Sequence, residues 1–378
     1  MSVEHALCCT GNPKRTFTSS SYLVVGVGRK TNMQATITGQ AFLPSEYTDV
    51  KKEFARYLLR RWVASIRMDL VPLSVISTLA GVTTGCIIGR NLTFDGRPIL
   101  IVLASCSGIY VLGAVARHAI RRPIVAQTAQ AFGLMMILSL LASLTSAAVA
   151  PGSGPLIDEA LARADRAIFP WWEWREMIAY LGNFPQIIKY LSYVYISIGW
   201  QPSLILLMAA VSGRDEIIKR LVAVWSFSIA LCILPFRWLT AAGPYAYYKV
   251  SEDVVPGSLV GLPFHFPKIL QGLKTGEITV INLEALTGLV SFPSFHACAA
   301  IVLAWTFAGW GKKAWPMIVL NVGMILSAVP IGGHYLVDII AGCFVALSAI
   351  CLTKGLEWQH QPVAGAAAMR PKTTDADL

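Results

Sequence analysis

The chain is 378 residues long, 55% hydrophobic and 14% charged, and its mean hydropathy is +0.59. Its apolar runs are long enough to cross a bilayer, which excludes a soluble globular protein and implies an all-α, polytopic membrane bundle. The net charge of +10 belongs to loops beside anionic lipid headgroups, and no nucleic-acid partner is expected.

Residues 1–46 are polar, rich in Ser, Thr and Gly, and lack sustained periodicity, as in a disordered tail. The segment Tyr22–Val27 is too short for a signal-peptide core, and Met33 offers an alternative start. Over 47–69, Lys51, Lys52, Arg56, Arg60, Arg61 and Arg67 alternate with Phe54, Leu58, Leu59, Val63 and Ile66. That pattern predicts a basic amphipathic helix on the cytoplasmic membrane surface. About eight spans follow, at 70–89, 98–116, 130–150, 187–211, 217–240, 295–310, 314–331 and 334–353. They divide into an N-terminal pair, 70–129, and a catalytic membrane domain, 130–355, with an interfacial segment at 155–186 and an outer loop at 241–294. Residues 356–378 read as a second disordered tail. Cys86, Cys106, Cys232, Cys298, Cys343 and Cys351 lie in or near apolar spans, where they read as small buried hydrophobes without disulfide spacing.

Loop charges orient the bundle. Arg117, Arg121 and Arg122, then Arg214, Lys219 and Arg220, then Lys312, Lys313 and Lys354 fall on one side. The positive-inside rule puts that side and both termini in the cytoplasm, as in a bacterial inner membrane. The segment 151–186 mixes Asp158, Glu159, Asp165, Glu173 and Glu176 with arginines, as on an outer side. Within it, Leu156–Ile168 is amphipathic and is followed by Trp171, Trp172 and Trp174. This predicts an interfacial helix near the active face that either gates lipid access or anchors the bundle. Arg237, at the outer end of the fifth span, either snorkels or clamps a phosphate. Tyr245 and Lys249, just beyond it, are further candidates for that task, whereas His265 reads as a surface residue.

The stretch Ser291–Asp338 concentrates the chemistry. His296, His334 and Asp338 each lie where an apolar helix begins, and ionisable groups at such positions in a membrane are costly enough to suggest function. Pro293 and Ser294 signal a helix start, which puts His296 in a first turn beside free N–H groups suited to an anion. The chain then crosses, turns at Gly311-Lys312-Lys313, returns, and opens a third helix at Gly332-Gly333. His334 and Asp338, four residues apart, are expected on one face of that helix, with the carboxylate orienting the imidazole. Two histidines and two helix N-termini then converge on the extracytoplasmic face. Such a set suits phosphoryl transfer through a phospho-histidine, with an oriented neutral imidazole as nucleophile and a protonated one as acid.

These residues resemble the type 2 phosphatidic acid phosphatase superfamily, whose second and third motifs centre on PSGH and SR-x5-H-x3-D. Pro293, Ser294 and His296 match the second, with Phe295 in place of Gly. Ser327, His334 and Asp338 match the third, with Ala328 in place of Arg. The first motif, K-x6-RP, is not found. The Ala328 departure and the run GGHYLVDIIAG are more similar to the branch of inositol phosphorylceramide synthase and the sphingomyelin synthases, which uses a His, His, Asp triad. Gly243-Pro244-Tyr245 also resembles a short motif of that branch. The resemblance implies a six-helix core in which His334 attacks phosphorus, Asp338 orients it and His296 protonates the leaving group. Ser294, Gly333, Arg237, Tyr245 and Lys249 are then the candidates for holding phosphate. No cofactor or metal is implied. The substrate is a membrane lipid phosphate ester, and the acceptor is water or, in the favoured reading, an alcohol such as inositol.

Three other readings stand beside this one. The histidines and the acid can be a satisfied structural set, or two histidines and one carboxylate can hold a metal. The fold can also be a decayed enzyme serving as a lipid transporter or scaffold, a reading that Ala328 and Phe295 favour.

Overall fold

The computed structural model describes residues 69–358 except 91, 120–122, 284, 285 and 287, together with the short strands Val24–Val25 and Ala35–Thr36. Those two strands pair antiparallel within a separate unit, residues 1–62. Apart from this pair, the tail expected at 1–46 lies outside the described residues. So do the amphipathic helix expected over 47–69, save Asp69, and the chain beyond 358.

The second unit is a helical bundle. Helices α1 (Asp69–Arg90), α2 (Gly96–Ala119) and α3 (Pro123–Val149) run up, down and up. Two short helices, α4 (Asp158–Ile168) and α5 (Trp174–Gly182), then lie across one end. The chain descends through α6 (Pro185–Ile196) and α7 (Gln201–Val211) and returns through α8 (Asp215–Ile233). A one-turn α9 (Pro244–Tyr247) and α10 (Leu262–Thr275) form the long connection. The bundle closes with α11 (Phe295–Ala308), α12 (Trp315–Ala328) and α13 (Leu336–Trp358).

Hydropathy explains the bundle. Leu79, Leu138, Ile205, Leu221, Val302 and Ala346 bury fully against one another. Leu112, Val211 and Phe344 instead point outward, exposed at 70%, 82% and 65%. An apolar exterior of this kind suits lipid and would be a liability in water. Five helices (α1, α2, α3, α8 and α13) are long and apolar enough to span, and the α6–α7 pair, bent by 51°, makes a sixth. The bend falls at the turn Ser197–Gly199, where polar side chains bridge the break. Gln201 donates to Ser197 Oγ at 2.9 Å, and Asn321 of α12 donates to Gln201 Oε1 at 2.7 Å.

The two remaining spans expected from hydropathy, α11 and α12, are only 14 residues each. At ~1.5 Å per residue each is about 21 Å long, short of a ~30 Å hydrocarbon core. The turns that carry Ser294 and Gly333 flank these two helices, and the histidines sit beside those turns. The opposite end is tied by cations. Arg214 Nη1 donates to the Gly309 carbonyl at 3.0 Å, and Arg220 makes a two-pronged pair with Glu357 at 2.8 and 3.2 Å.

Candidate active site

Helix α11 starts at Ser294, which takes the N-cap position with its Oγ accepting from Ala297 N at 3.3 Å. The Ser294 N–H donates to the Asp338 carbonyl at 3.1 Å, so the starts of α11 and α13 are bonded to each other. Only glycine fits at 342, because a Cβ there would collide with the Ser294 carbonyl oxygen. His296 follows in the first turn of α11. Its imidazole stacks on Tyr195 of α6, with centroids 3.8 Å apart and planes 13° from parallel.

His334 reaches the same place from a turn, not from a helix face. The backbone at Gly333 is left-handed (φ 65°), and α13 begins only at Leu336. Tyr335 precedes the helix, and Asp338, in the first turn, reaches back to it. Its Oδ2 accepts from Tyr335 N at 3.0 Å and lies 3.3 Å from His334 Nδ1. The expected pairing of His334 with Asp338 is thus present by a different route, in which the acid of half a capping box also holds the imidazole. Both residues are buried.

Helix α4 clasps this turn, a role its sequence pattern did not suggest. Asp165 accepts from Leu336 N and Val337 N at 2.9 and 2.8 Å. Asp158 accepts from Ala242 N and Gly243 N at 2.8 and 2.7 Å and from the Tyr335 hydroxyl at 3.2 Å. Both aspartates are only 4% exposed, where water-facing acids were expected. Burial pushes both carboxyls above the usual range, and the backbone N–H donors pull the other way. Trp174, expected at headgroup level, is buried as well, and its indole N–H donates to the His334 carbonyl at 3.2 Å. Trp171, by contrast, is 76% exposed. One signal was available in the sequence: Asp158 and Asp165 are seven residues apart, on the same stripe of α4 as Leu161 and Ala162.

The clasp also corrects the expectation of two open helix N-termini. At α13 the first N–H groups already bond to Asp165 and Asp338, so they are not available to an anion.

His296 and His334 line one cavity of about 220 Å³, with Ser291, Tyr195 and Gly332 beside them. Ser291 Oγ is buried and without a partner among the described residues. The candidates for holding phosphate do not gather here. Arg237 and Lys249 are exposed and do not line the cavity. Tyr245 donates its hydroxyl to the Pro330 carbonyl at 2.7 Å, bracing the turn that carries His334. Gly333 packs against Tyr245 and Pro263, and Ser294 is buried as the α11 cap. Where the phosphatase pattern has arginine, Ala328 lies fully buried in an apolar cluster with Trp174, Tyr245 and Ile331.

Comparison with known families gives one match, to the PAP2 superfamily, over residues 159–352. The match covers just over half of the chain, from α4 into α13, and includes both cavity histidines, Asp338 and Asp165. Comparison with curated proteins and with solved structures gives no match. The chain belongs to the PAP2 superfamily and is a multi-pass, all-α integral membrane protein of that type.

Proposed function

We propose, from this membership and from the two histidines facing one cavity, that the protein transfers the phosphoryl-bearing group of a membrane lipid through a phospho-histidine. The observation that carries the reading is the pairing of His334 Nδ1 with Asp338 while the ring lines the cavity shared with His296. A carboxylate acceptor on Nδ1 selects the tautomer with its proton there, which leaves Nε2 with a free lone pair. In the proposed step, Nε2 attacks phosphorus and the bond from phosphorus to the leaving alcohol oxygen breaks, the lipid oxygen in hydrolysis and the headgroup oxygen in inositol exchange. The proton on His296 passes to that oxygen. An incoming hydroxyl then gives its proton back to His296 and attacks phosphorus, and the bond to Nε2 breaks. Ser291 Oγ and the α11 N-terminus are the groups best placed to hold the phosphate oxygens.

Headgroup transfer to an alcohol such as inositol is the favoured version. It is supported by the GGHYLVDIIAG run and by Ala328, whose packed apolar surroundings leave no place for the phosphatase arginine. The working unit is residues 130–355, since Ser139, Ala142 and Ser143 of α3 line the cavity although they precede the matched segment. The extracytoplasmic face is the favoured side for the site, with the basic end that holds Arg214, Arg220 and Lys354 in the cytoplasm.

The test follows inorganic phosphate and headgroup exchange in parallel, using purified protein with phosphatidic acid, phosphatidylinositol and free inositol. Inositol exchange lost in His334→Ala supports transfer, and phosphate release lost in that variant supports hydrolysis. A folded wild-type protein silent in both would overturn the enzymatic reading.

A further inference from the structure

The cavity that holds the two histidines does not end at headgroup depth. Its wall continues down α3 through Ser143, Ala142 and Ser139, with Ile229 and Ile233 of α8 and Phe266 of α10 also lining it. At ~1.5 Å per residue, Ser139 lies about 15 Å below Val149 at the end of α3, well inside the hydrocarbon layer. Ser139 is an exposed residue of a long apolar helix and lines the cavity as well.

The lining of this lower part suits hydrocarbon better than a polyol. Among the described residues no Asp, Glu, Lys or Arg lines the cavity, and the Ser139 hydroxyl donates to the Met135 carbonyl at 2.9 Å. A polyol there would find only the Ser139 and Ser143 hydroxyls to pair with, which is unfavourable, whereas a hydrocarbon chain loses nothing. Small residues on α3 opposite branched ones on α8 make a slot with one narrow wall.

We infer that this slot between α3 and α8 seats a hydrocarbon chain of the lipid whose phosphate lies against His334. Ala142 and Ser143 set the chain bulk it accepts. The inference rests on the proposed function, and it assigns substrate selection to α3, which lies outside the segment shared with the family.

The test compares three substrates on the same preparation: dioleoyl phosphatidic acid and phytanyl phosphate in mixed micelles, and the water-soluble p-nitrophenyl phosphate. Ala142→Phe fills the slot and should lower the ratio of long-chain to soluble turnover by about tenfold or more. Ile229→Ala opens the slot and carries the test if the larger side chain prevents folding. It should shift preference toward a methyl-branched phytanyl phosphate. Val319→Phe, on the exposed face of α12, should leave both ratios unchanged. An active wild type whose α3 and α8 variants keep the wild-type ratios would overturn the slot alone. A wild type inactive on all three esters and silent in inositol exchange would overturn the enzymatic reading, and the slot with it.

Discussion

The indole N–H of Trp174 donates to the backbone carbonyl of His334 at 3.2 Å. The proposed nucleophile is therefore held from a helix that lies across the end of the bundle. Trp174→Phe keeps most of the packing against Tyr245 and Tyr248 but leaves that buried carbonyl without its donor. A loss of about 1–3 kcal/mol at this turn is expected. It should be read as lower kcat with KM little changed, because Trp174 does not line the cavity. Unchanged kcat would show that the turn keeps its shape without this bond.

Asp165 makes the second attachment. Its two oxygens serve the two N–H groups that open α13. An amide offers one acceptor in place of two, so Asp165→Asn leaves one donor unpaired, and Asp165→Ala leaves both. Thermal unfolding in detergent should show a graded loss, about 1–2 kcal/mol for Asn and more for Ala. Equal midpoints for the two variants and the wild type would mean that α13 is capped some other way.

His296 is placed to protonate the leaving oxygen, and this gives it a signature distinct from that of His334. His296→Ala should slow turnover of an alkyl phosphate by ~10²–10⁴-fold. An ester with a good leaving group, such as p-nitrophenyl phosphate, needs little protonation and should suffer far less. His334→Ala should abolish both. If His296→Ala slows both esters equally, its role is not that of the acid.

Gly333 is the point at which the chain turns to present His334. Its left-handed backbone disfavours any side chain, and a Cβ would lie 2.9 Å from Tyr245 Cδ2. Gly333→Ala should cost about 1–3 kcal/mol and reduce activity even where protein accumulates. A wild-type unfolding midpoint and wild-type turnover would contradict that account of the turn.

Much of this was legible in the sequence because membrane proteins write their spans in hydropathy. The five long helices and the bent pair lie close to the runs expected for them, and the spacing of His296, His334 and Asp338 marked the candidate site. The stripe that Asp158 and Asp165 share on α4 was legible, but what it packs against was not. An aspartate on an amphipathic helix looks the same whether its stripe meets water or the backbone of another helix, and only the fold decides which. Trp174 was hidden in the same way, since tryptophan beside a span is usually interfacial. The start of α13 was misplaced by two residues because Gly332 and Gly333 read equally well as the opening of a helix or as a turn before it. Arg237 looked suited to a phosphate by type and depth, but the direction its side chain takes is set by packing that hydropathy does not encode.

The central claim is that His334 carries the phosphoryl-bearing group during turnover. Purified protein mixed with a phosphorus-labelled lipid substrate, quenched in base and digested, would show where the label resides. The account expects an acid-labile, base-stable label on the peptide that contains His334, absent in His334→Ala and chased by inositol or water. Turnover with no label on that peptide, or a label that survives in His334→Ala, would contradict it.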